Sequence, residues 1–272
     1  MELTKENYHS IEANKEYMSV SQFKNFLVEY GGCPEKELAI LKGDYEDSEK
    51  ECFLEGHYLH SWNEGKLEEF QESHPEIYSS KGKTKGELKS NYKVIAGMID
   101  VLKKDKFVMK LLEGQKEIIF TAEFEKIKWK IMIDVYNLES KYFVDLKGMK
   151  DIYQRWWNRT NQSYENFIQH YGYDIQMSVY AEIERLSCKR EPSNWLIPHL
   201  LLVTKQDVAD HEIIYFDYKI IMQKLEYVKL FLPQILKIKQ GKIKPPRCNR
   251  CHYCRKTKKI IAIKHYKEFD LY

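Results

Sequence analysis

The sequence predicts an α/β fold, because helical and strand patterns follow one another along the chain. Helical patterns occupy most of the first 115 residues, and segments rich in β-forming residues follow at 117–124, 127–136 and 141–147. A helical pattern, two further strand patterns and a last helical pattern complete the order. This order predicts a sheet that begins with a three-stranded meander, in a domain with helical additions at its N-terminus.

The composition excludes several classes of protein. With 43% hydrophobic residues among 272, the chain can bury a large core. Its 44 Lys and Arg nearly balance its 41 Asp and Glu, so the net charge of +3 does not by itself identify a nucleic-acid partner. No apolar run reaches the roughly 18 residues that span a bilayer, and the start lacks the apolar core of a signal peptide. We therefore expect a cytoplasmic protein with no membrane partner.

The N-terminal part is predicted to be largely helical. Residues 1–17 are polar and predict a loosely held lead-in, after which Ser19 is suited to cap one helix and Pro34 to begin another. Longer helical patterns cover residues 48–70 and 87–112. A Gly- and Lys-rich loop lies between these two, and its lysines either contact phosphates or are simply solvated.

Two carboxylates and a lysine lie on the second and third strands of the meander. Side chains alternate across a strand, so Asp145 and Lys147 point the same way. A short connection at residues 137–140 suits a hairpin, which brings Asp134 near Asp145. Such charges must be paired, metal-bound or solvated, because burying them bare is costly. A divalent metal between the carboxylates would satisfy this requirement.

Two helical patterns can add polar side chains to this place. His60 and Glu64 share a face of the earlier one. A lone histidine on a helix is more often a hydrogen-bonded structural residue than a metal ligand, so both interpretations stand. In the later pattern, at residues 163–186, Gln176 and Tyr180 lie one turn apart, with Tyr173 on the same face.

A cation-rich aromatic segment follows the meander. It contains Arg155, Trp156, Trp157 and Arg159, a composition that suits stacking on bases or contact with a phosphate backbone. Local packing of the two indoles is the equally good structural explanation. The last predicted elements are strands at 195–203 and 212–216 and a helix at 218–238.

The cysteines are too sparse for a disulfide scaffold in a chain of this length. Three of them, Cys248, Cys251 and Cys254, have the close spacing of metal ligands. Cys52 and Cys188 lie within helical patterns and are interpreted as structural thiols.

Four of these patterns occur together, in the same order, in a family of nucleases. The segment from Gly56 to His60 resembles its G-x-x-x-H helix, Asp134 its first strand carboxylate, Asp145 to Lys147 its D-x-K strand, and Gln176 to Tyr180 its Q-x-x-x-Y helix. The chain thus resembles the PD-(D/E)xK nuclease superfamily, in its RecB-like branch, and most closely the phage-type recombination exonucleases related to exodeoxyribonuclease VIII. The resemblance covers about residues 19–254 and implies a restriction-endonuclease-like core, with a central mixed sheet flanked by helices. Two positions depart from the family pattern: Ile131 stands where relatives often have glycine, and Gly148 where they often have threonine.

The resemblance also implies a metal site. His60, Asp134, Asp145 and the backbone carbonyl of Leu146 would hold one or two Mg²⁺ or Mn²⁺ ions, which favour carboxylate oxygen and tolerate imidazole. Lys147 would orient or deprotonate the attacking water, or stabilise developing charge, since the pKa of a lysine beside a metal and in a partly desolvated cleft can be lowered.

The later helix has an implied role beside this metal site. Gln176 and Tyr180 would position the DNA strand or the lysine. Glu64 and Tyr173 are candidates for supporting positions around the same site.

A second resemblance concerns the cysteines. The segment from Ser19 to Phe26, followed by Cys33, resembles the N-terminal signature of RecB-like nucleases that carry an iron–sulfur cluster. In those relatives one early cysteine joins three near the C-terminus, which implies a [4Fe–4S] cluster held by Cys33, Cys248, Cys251 and Cys254. Four thiolates also suit a structural Zn²⁺, His252 could replace Cys33 in a local zinc site, and a site without metal is the third alternative.

The implied function is that of a metal-dependent DNA exonuclease. It would hydrolyse phosphodiester bonds and resect duplex ends for phage-type homologous recombination, with a single-strand annealing protein as partner and a homo-oligomer as its assembly. The source would be bacterial or phage-encoded. The alternatives are a CRISPR-adaptation or repair nuclease of the same superfamily, and a non-catalytic zinc-dependent DNA-binding module, against which the intact Asp, Asp and Lys set argues.

We expect one nuclease domain over residues 1–272. After the lead-in, it would comprise a helical part at 18–115, a catalytic core at 116–240 and a Cys-rich basic tail at 241–272.

Overall fold

The computed structural model of the chain describes residues 1–46, 51–158, 162–260, 262–263 and 265–268. Arg159 lies outside these residues, as does the side chain of Cys52. Within them, the helices that precede the main sheet are α1 (Ile11–Glu16), α2 (Val20–Asn25), α3 (Pro34–Lys42), α4 (Glu51–Glu64), α5 (Leu67–Ser73), α6 (Ser90–Lys104) and α7 (Lys106–Leu111).

The strands and later helices follow in the predicted order, with an added hairpin and two short helices that were not predicted as separate elements. They are β1 (Gln115–Phe124), β2 (Ile127–Asn137), β3 (Tyr142–Met149), β4 (Trp156–Asn158), β5 (Ser163–Glu165), α8 (Phe167–Tyr171), α9 (Tyr173–Ser187), β6 (Ile197–Thr204), β7 (His211–Tyr215), α10 (Tyr218–Lys239) and α11 (His252–Lys256). The additions are the hairpin of β4 and β5 and the helices α8 and α11. Among all the elements that the structure describes, no helix is both long enough and apolar enough to cross a membrane.

The main sheet is mixed, with strand order β1-β2-β3-β6-β7. The first three strands form the predicted antiparallel meander, β3 runs parallel to β6, and β7 is antiparallel to β6. A parallel pair needs a crossover, and α9 lies in the connection between β3 and β6. The mixed sheet flanked by helices confirms the predicted fold class.

Alternating apolar residues on the central strands build two cores. Phe143 and Leu200 belong to a core with residues of α2, α9 and α10, whereas Val144 and Leu201 belong to a core with residues of α4 and α6. Successive strand residues thus serve opposite faces of the sheet, which is the pattern of a sheet buried on both sides.

The predicted lead-in is better ordered than its polar sequence suggests. Ser10 caps α1 by accepting a hydrogen bond from the backbone of Ala13, and Tyr8, Ala13 and Tyr17 are buried. Met18 then pairs with Trp129 of β2 in a parallel β-bridge. The expectation of a loosely held segment was therefore wrong, because the segment packs against the sheet rather than forming a core of its own.

Three predicted helices are interrupted or shortened, each for a local reason. Gly65, with a φ of +77°, separates α4 from α5. The side chain of Asp105 caps α7 and so divides the helix predicted at 87–112 into α6 and α7. The helix expected from residue 163 begins later, because Ser163–Glu165 pairs with β4 as a short hairpin. Gly172, with a φ of +62°, then separates α8 from α9.

The two departures from the family pattern have structural explanations. Ile131 is fully buried in the core. A β-carbon on Gly148 would lie 3.1 Å from Met98 Cε and 3.3 Å from Leu59 Cδ2, so close packing of α4 and α6 on β3 leaves little room for a threonine.

Candidate active site

The two strand carboxylates lie where β2 and β3 stop pairing. The last paired positions are Val135 and Val144, and the next residues in the same register are Asp134 and Asp145. The backbone N–H of Leu146 donates to Asp134 Oδ2 at 2.6 Å, and this side-chain oxygen takes the place of a backbone carbonyl as the acceptor. Both carboxylates are nearly buried, at 6% and 2% exposure. The structure therefore brings Asp134 and Asp145 to one place, as the meander predicted.

Asp145 is held between a cation and an amide. Its Oδ2 lies 2.6 Å from Lys147 Nζ, and its Oδ1 accepts a hydrogen bond of 2.7 Å from Gln176 Nε2 on α9. Gln176 thus contacts the carboxylate itself rather than the lysine. Its place on the first turn of α9 lets the helix behind the sheet fix the orientation of Asp145.

A second group forms around Asp134. The Nδ1 atom of His60, on α4, lies 3.5 Å from Asp134 Oδ1 and 3.7 Å from Glu117 Oε1. Among the described residues, His60, Glu117 and Asp134 each offer a ligand atom within 4.8 Å of the others. Asp145 is outside this group and adjoins it through Asp134.

Glu117 is the member of this group that sequence reasoning missed. It has a φ of +53°, which is rare for a residue other than glycine and occurs often at functional sites. A two-residue turn at Glu125 and Lys126, both with positive φ, sets the register of β1 and β2 so that Glu117 lies opposite Asp134. Counting outward from such a turn between the two predicted strands would have paired these carboxylates.

The donor set fits a divalent cation. One buried carboxylate oxygen, Glu117 Oε1, accepts no hydrogen bond from the described residues, and the buried Asp145 Oδ2 has the Lys147 ammonium group 2.6 Å away. Leaving such oxygens unsatisfied is costly unless a ligand occupies them. Carboxylates with one imidazole are the donors that Mg²⁺ and Mn²⁺ accept. His60, Glu117 and Asp134 could therefore hold a metal ion, with Asp145 available to the same ion or to a second one.

The charge of Lys147 follows from its neighbours. Burial opposes ionisation, but the carboxylates of Asp145 and Asp134 outweigh it and raise the pKa of Lys147 above its ordinary value. The expectation of a lowered pKa concerns a lysine beside a bound metal; with the carboxylates free of metal, their two negative charges raise the pKa instead. Lys147 is an ammonium group beside the cleft.

Burial raises the pKa of both Asp134 and Asp145, and the nearby cations only partly offset it. The His60 pKa is also raised, since Asp134 and Glu117 outweigh the desolvation of the imidazolium. The group therefore shares protons when no cation is bound, and a cation would displace them.

A polar cavity of about 250 Å³ opens onto the carboxylates. Asp134, Asp145, Lys147 and Tyr180 all contribute to its lining. Tyr180 comes from α9, one turn after Gln176, as the sequence predicted. Tyr173 lies at the edge of this region, with Lys24 Nζ 5.6 Å from its ring centroid.

Two other sequence candidates lie elsewhere. Glu64 forms ion pairs of 3.3 Å with Lys5 and Lys66 and is not part of the carboxylate group. In the β4–β5 hairpin, Trp156 stacks on His170 with ring centroids 4.6 Å apart. Trp156 therefore has the local packing role that was one of the two interpretations of this segment.

The neighbouring residues of that hairpin face solvent. Trp157 is 53% exposed and contacts Tyr164, and Arg155, two residues earlier, is also exposed.

The four predicted cysteines meet beside the start of α3. Cys33 Sγ lies 3.5 Å from Cys254 Sγ, Cys248 Sγ lies 3.9 Å from Cys254 Sγ, and all four sulfurs including Cys251 lie within 4.8 Å of one another. His252 is directed elsewhere, since its Nδ1 lies 3.2 Å from the hydroxyl of Tyr45.

Local structure fixes the cysteine group. Cys33 immediately precedes α3, and Cys251 caps α11, accepting the N–H of Cys254. Backbone N–H groups directed at Cys248 outweigh its partial burial and lower the pKa of its thiol to about 7. Arg247 joins the tail to α3 through an ion pair of 2.5 Å with Glu35.

Comparisons with known proteins agree with this geometry. A family model described as a PDDEXK-like domain of unknown function matches residues 19–257. Among solved structures, a protein from Eubacterium rectale described as a "putative exonuclease" shares the fold with a TM-score of 0.89; the sequences are 37% identical, and the match covers 98% of each chain. A search of curated proteins finds no match.

Proposed function

Because this chain belongs to the PDDEXK-like family, we propose that it hydrolyses phosphodiester bonds of DNA with the help of divalent metal ions. The observation that supports this most directly is the group formed by His60, Glu117 and Asp134 beside the Asp145–Lys147 pair. The buried Oε1 of Glu117 has no hydrogen-bond donor there among the described residues. A binding module has no need to place an unsatisfied carboxylate where a phosphate would lie.

The metal ligands would be His60, Glu117, Asp134 and Asp145, with the backbone carbonyl of Leu146 as a further oxygen donor. When bound, Mg²⁺ or Mn²⁺ activates a water molecule and offsets the charge of the phosphate. Asp134 is held in place by the N–H of Leu146, so its free oxygen faces His60. Gln176 holds Asp145 in the same way from α9.

Lys147 would act as a cation. Its ammonium group lies 2.6 Å from Asp145, and the neighbouring carboxylates keep its pKa raised. In this form it would donate hydrogen bonds to the attacking water or to a phosphate oxygen, and stabilise the charge that develops there.

We further propose that the enzyme is an exonuclease, as the Eubacterium rectale protein is described, and that it acts on duplex ends. Resection for phage-type recombination, with a single-strand annealing protein as partner, is the biological role that the sequence motifs favour. In the hairpin, exposed Trp157 and Arg155 would contact the DNA, by stacking and by charge, while Trp156 supports them from the core.

For the cysteine group we propose one tetrahedral Zn²⁺. Zinc–sulfur bonds of about 2.3 Å place the sulfurs of a tetrahedral site about 3.8 Å apart. The sulfur pairs Cys33–Cys254 and Cys248–Cys254, at 3.5 and 3.9 Å, match that spacing. A [4Fe–4S] cluster binds each thiolate through a different iron and would hold the sulfurs further apart. The spacing therefore supports zinc over the cluster that the family resemblance implied.

Degradation of linear duplex DNA tests the proposal. We expect the purified protein to release nucleotides from linear duplex in Mg²⁺ or Mn²⁺, to stop on addition of EDTA, and to leave covalently closed circles intact. Lys147→Ala should lower the rate by about a hundredfold or more while its circular dichroism stays unchanged. Lys110→Ala, at an exposed lysine of α7, is the matched control and should keep the wild-type rate. An unchanged rate in Lys147→Ala would contradict the mechanism.

A further inference from the structure

The N-terminal segment reaches the candidate active site. Tyr8 and His9 line the same cavity as Asp134, Asp145 and Tyr180. Tyr8 is only 6% exposed, although its sequence neighbours are polar. A residue before the first helix is thus part of the cleft wall.

Tyr8 is fixed by the strand that carries Asp134. Lys130, on β2, donates a hydrogen bond to the carbonyl of Tyr8, and its Nζ lies 4.6 Å from the centroid of the Tyr8 ring. The same ammonium group donates to Asn14 Oδ1 at 2.7 Å. Since Lys130 and Asp134 lie four residues apart on one strand, the position of the phenol is tied to that of the carboxylate.

The phenol of Tyr8 is a neutral donor with no acceptor. A phenol keeps its proton at neutral pH, since its ordinary pKa is about 10. Among the residues that the structure describes, neither the Tyr8 hydroxyl nor that of Tyr180 forms a hydrogen bond. Two uncharged O–H donors therefore lie beside carboxylates that metal ions would occupy.

A phosphodiester is the acceptor that suits such donors. Its non-bridging oxygens have more lone pairs than bound cations use, and a hydrogen bond to an ionised acceptor is stronger than one to a neutral group. A phenol adds no positive charge and so does not repel the metal ions that the neighbouring carboxylates would bind.

We propose that Tyr8 donates a hydrogen bond to a non-bridging phosphate oxygen of bound DNA, so that the N-terminal segment supplies a substrate-binding group to the active site. This inference rests on the proposed nuclease function. It adds a residue outside the four motifs and outside the span that the family model matches, which begins at residue 19.

Tyr8→Phe tests the inference because it removes the hydroxyl and leaves the ring over Lys130. With Ca²⁺ in place of Mg²⁺, binding of a short duplex DNA, followed by fluorescence anisotropy, should weaken about tenfold. In Mn²⁺, kcat/KM should fall by a similar factor, while the Mn²⁺ concentration for half-maximal rate and the thermal unfolding midpoint stay unchanged. Tyr17→Phe is the control: Tyr17 is buried in the same segment, and its hydroxyl donates to the carbonyl of Met1 at 2.9 Å instead of lining the cavity.

The outcomes separate this inference from the function on which it rests. A wild-type protein that neither binds nor degrades DNA would overturn both. An active wild type with wild-type binding and rate in Tyr8→Phe would overturn only the role of Tyr8. Unchanged DNA binding with a shifted Mn²⁺ midpoint would also overturn it, because the phenol would then act on the ligating carboxylates.

Discussion

The two candidate metal groups of this protein differ in donor chemistry, in surroundings and in what they connect. His60, Glu117 and Asp134 offer nitrogen and oxygen on neighbouring elements of the core, beside a cavity. The cysteine group offers four thiols and connects α3 with the C-terminal tail, across 221 residues between Cys33 and Cys254. The first leaves room for a substrate, while the second is closed by its own four donors. From this difference we expect catalysis at the first group and cross-linking at the second.

The largest expected effect concerns the closed group. Cys33→Ser should abolish binding of one Zn²⁺ per chain and lower the free energy of unfolding, by up to about 5 kcal/mol if closing the long loop acts through chain entropy. Metal analysis and urea denaturation measure the two effects. Cys188→Ser, at an exposed thiol outside the group, should change neither. Iron and a brown colour in the wild type would contradict the zinc assignment. Full stability in Cys33→Ser would contradict the cross-linking role of the cysteine group.

The open group should show the reverse pattern. Asp134→Asn should lower the rate of DNA hydrolysis by about three orders of magnitude, because an amide is a poor ligand for Mg²⁺. The free energy of unfolding should stay the same or rise. Burial raises the pKa of Asp134, so at neutral pH the ionised group destabilises the folded state, and the asparagine can still accept the N–H of Leu146.

Urea denaturation at neutral pH without metal checks that expectation. Glu64→Gln, at a carboxylate paired with Lys5 and Lys66, is the control for removing a charge on α4. A marked loss of stability in Asp134→Asn would assign a structural role to the open group as well.

A smaller effect is expected at Lys130, a buried charge outside both candidate metal groups, which lowers the free energy of unfolding. Lys130 is 1% exposed, and burial, with Lys239 nearby, lowers its pKa from 10.5 to about 8. Between these values the unfolded chain binds more protons than the folded chain, so stability should rise with pH there. One such lysine contributes a slope of about 1.4 kcal/mol per pH unit.

Lys130→Met should reduce the pH slope by about that amount, measured by urea denaturation between pH 8 and 10. The control is Lys110→Met, at an exposed lysine, which should keep the wild-type slope. If Lys130→Met kept the wild-type pH slope, protonating Lys130 in the folded protein would cost no more free energy than protonating a surface lysine.

Local patterns in the sequence predicted the parts of the fold that depend on local interactions. The meander, the two later strands and the cap at Ser19 follow from periodicity and capping chemistry. The convergence of Asp134 and Asp145 followed from strand alternation and one hairpin. Glu117 was not predicted as a site residue, because its place beside Asp134 depends on the register set by a turn and on an unusual backbone conformation.

The N-terminal segment escaped for a different reason. Tyr8 and Tyr17 are spaced too far apart to form an apolar stripe, and they become buried only because β2 supplies Lys130 and Trp129 as partners. A polar segment can therefore be ordered entirely by tertiary contacts, which single-segment patterns do not contain.

The distance along the chain between Cys33 and its partners also affects how the protein is made. At the usual pace of protein synthesis, the 221 residues from Cys33 to Cys254 take roughly 10 to 45 s to emerge. During that interval the early thiol has none of its three partners, so the proposed zinc cross-link could close only after the strands that carry Asp134 and Asp145 have been synthesised. We therefore expect the cross-link to be a late event, timed by the ribosome rather than by the rate of folding.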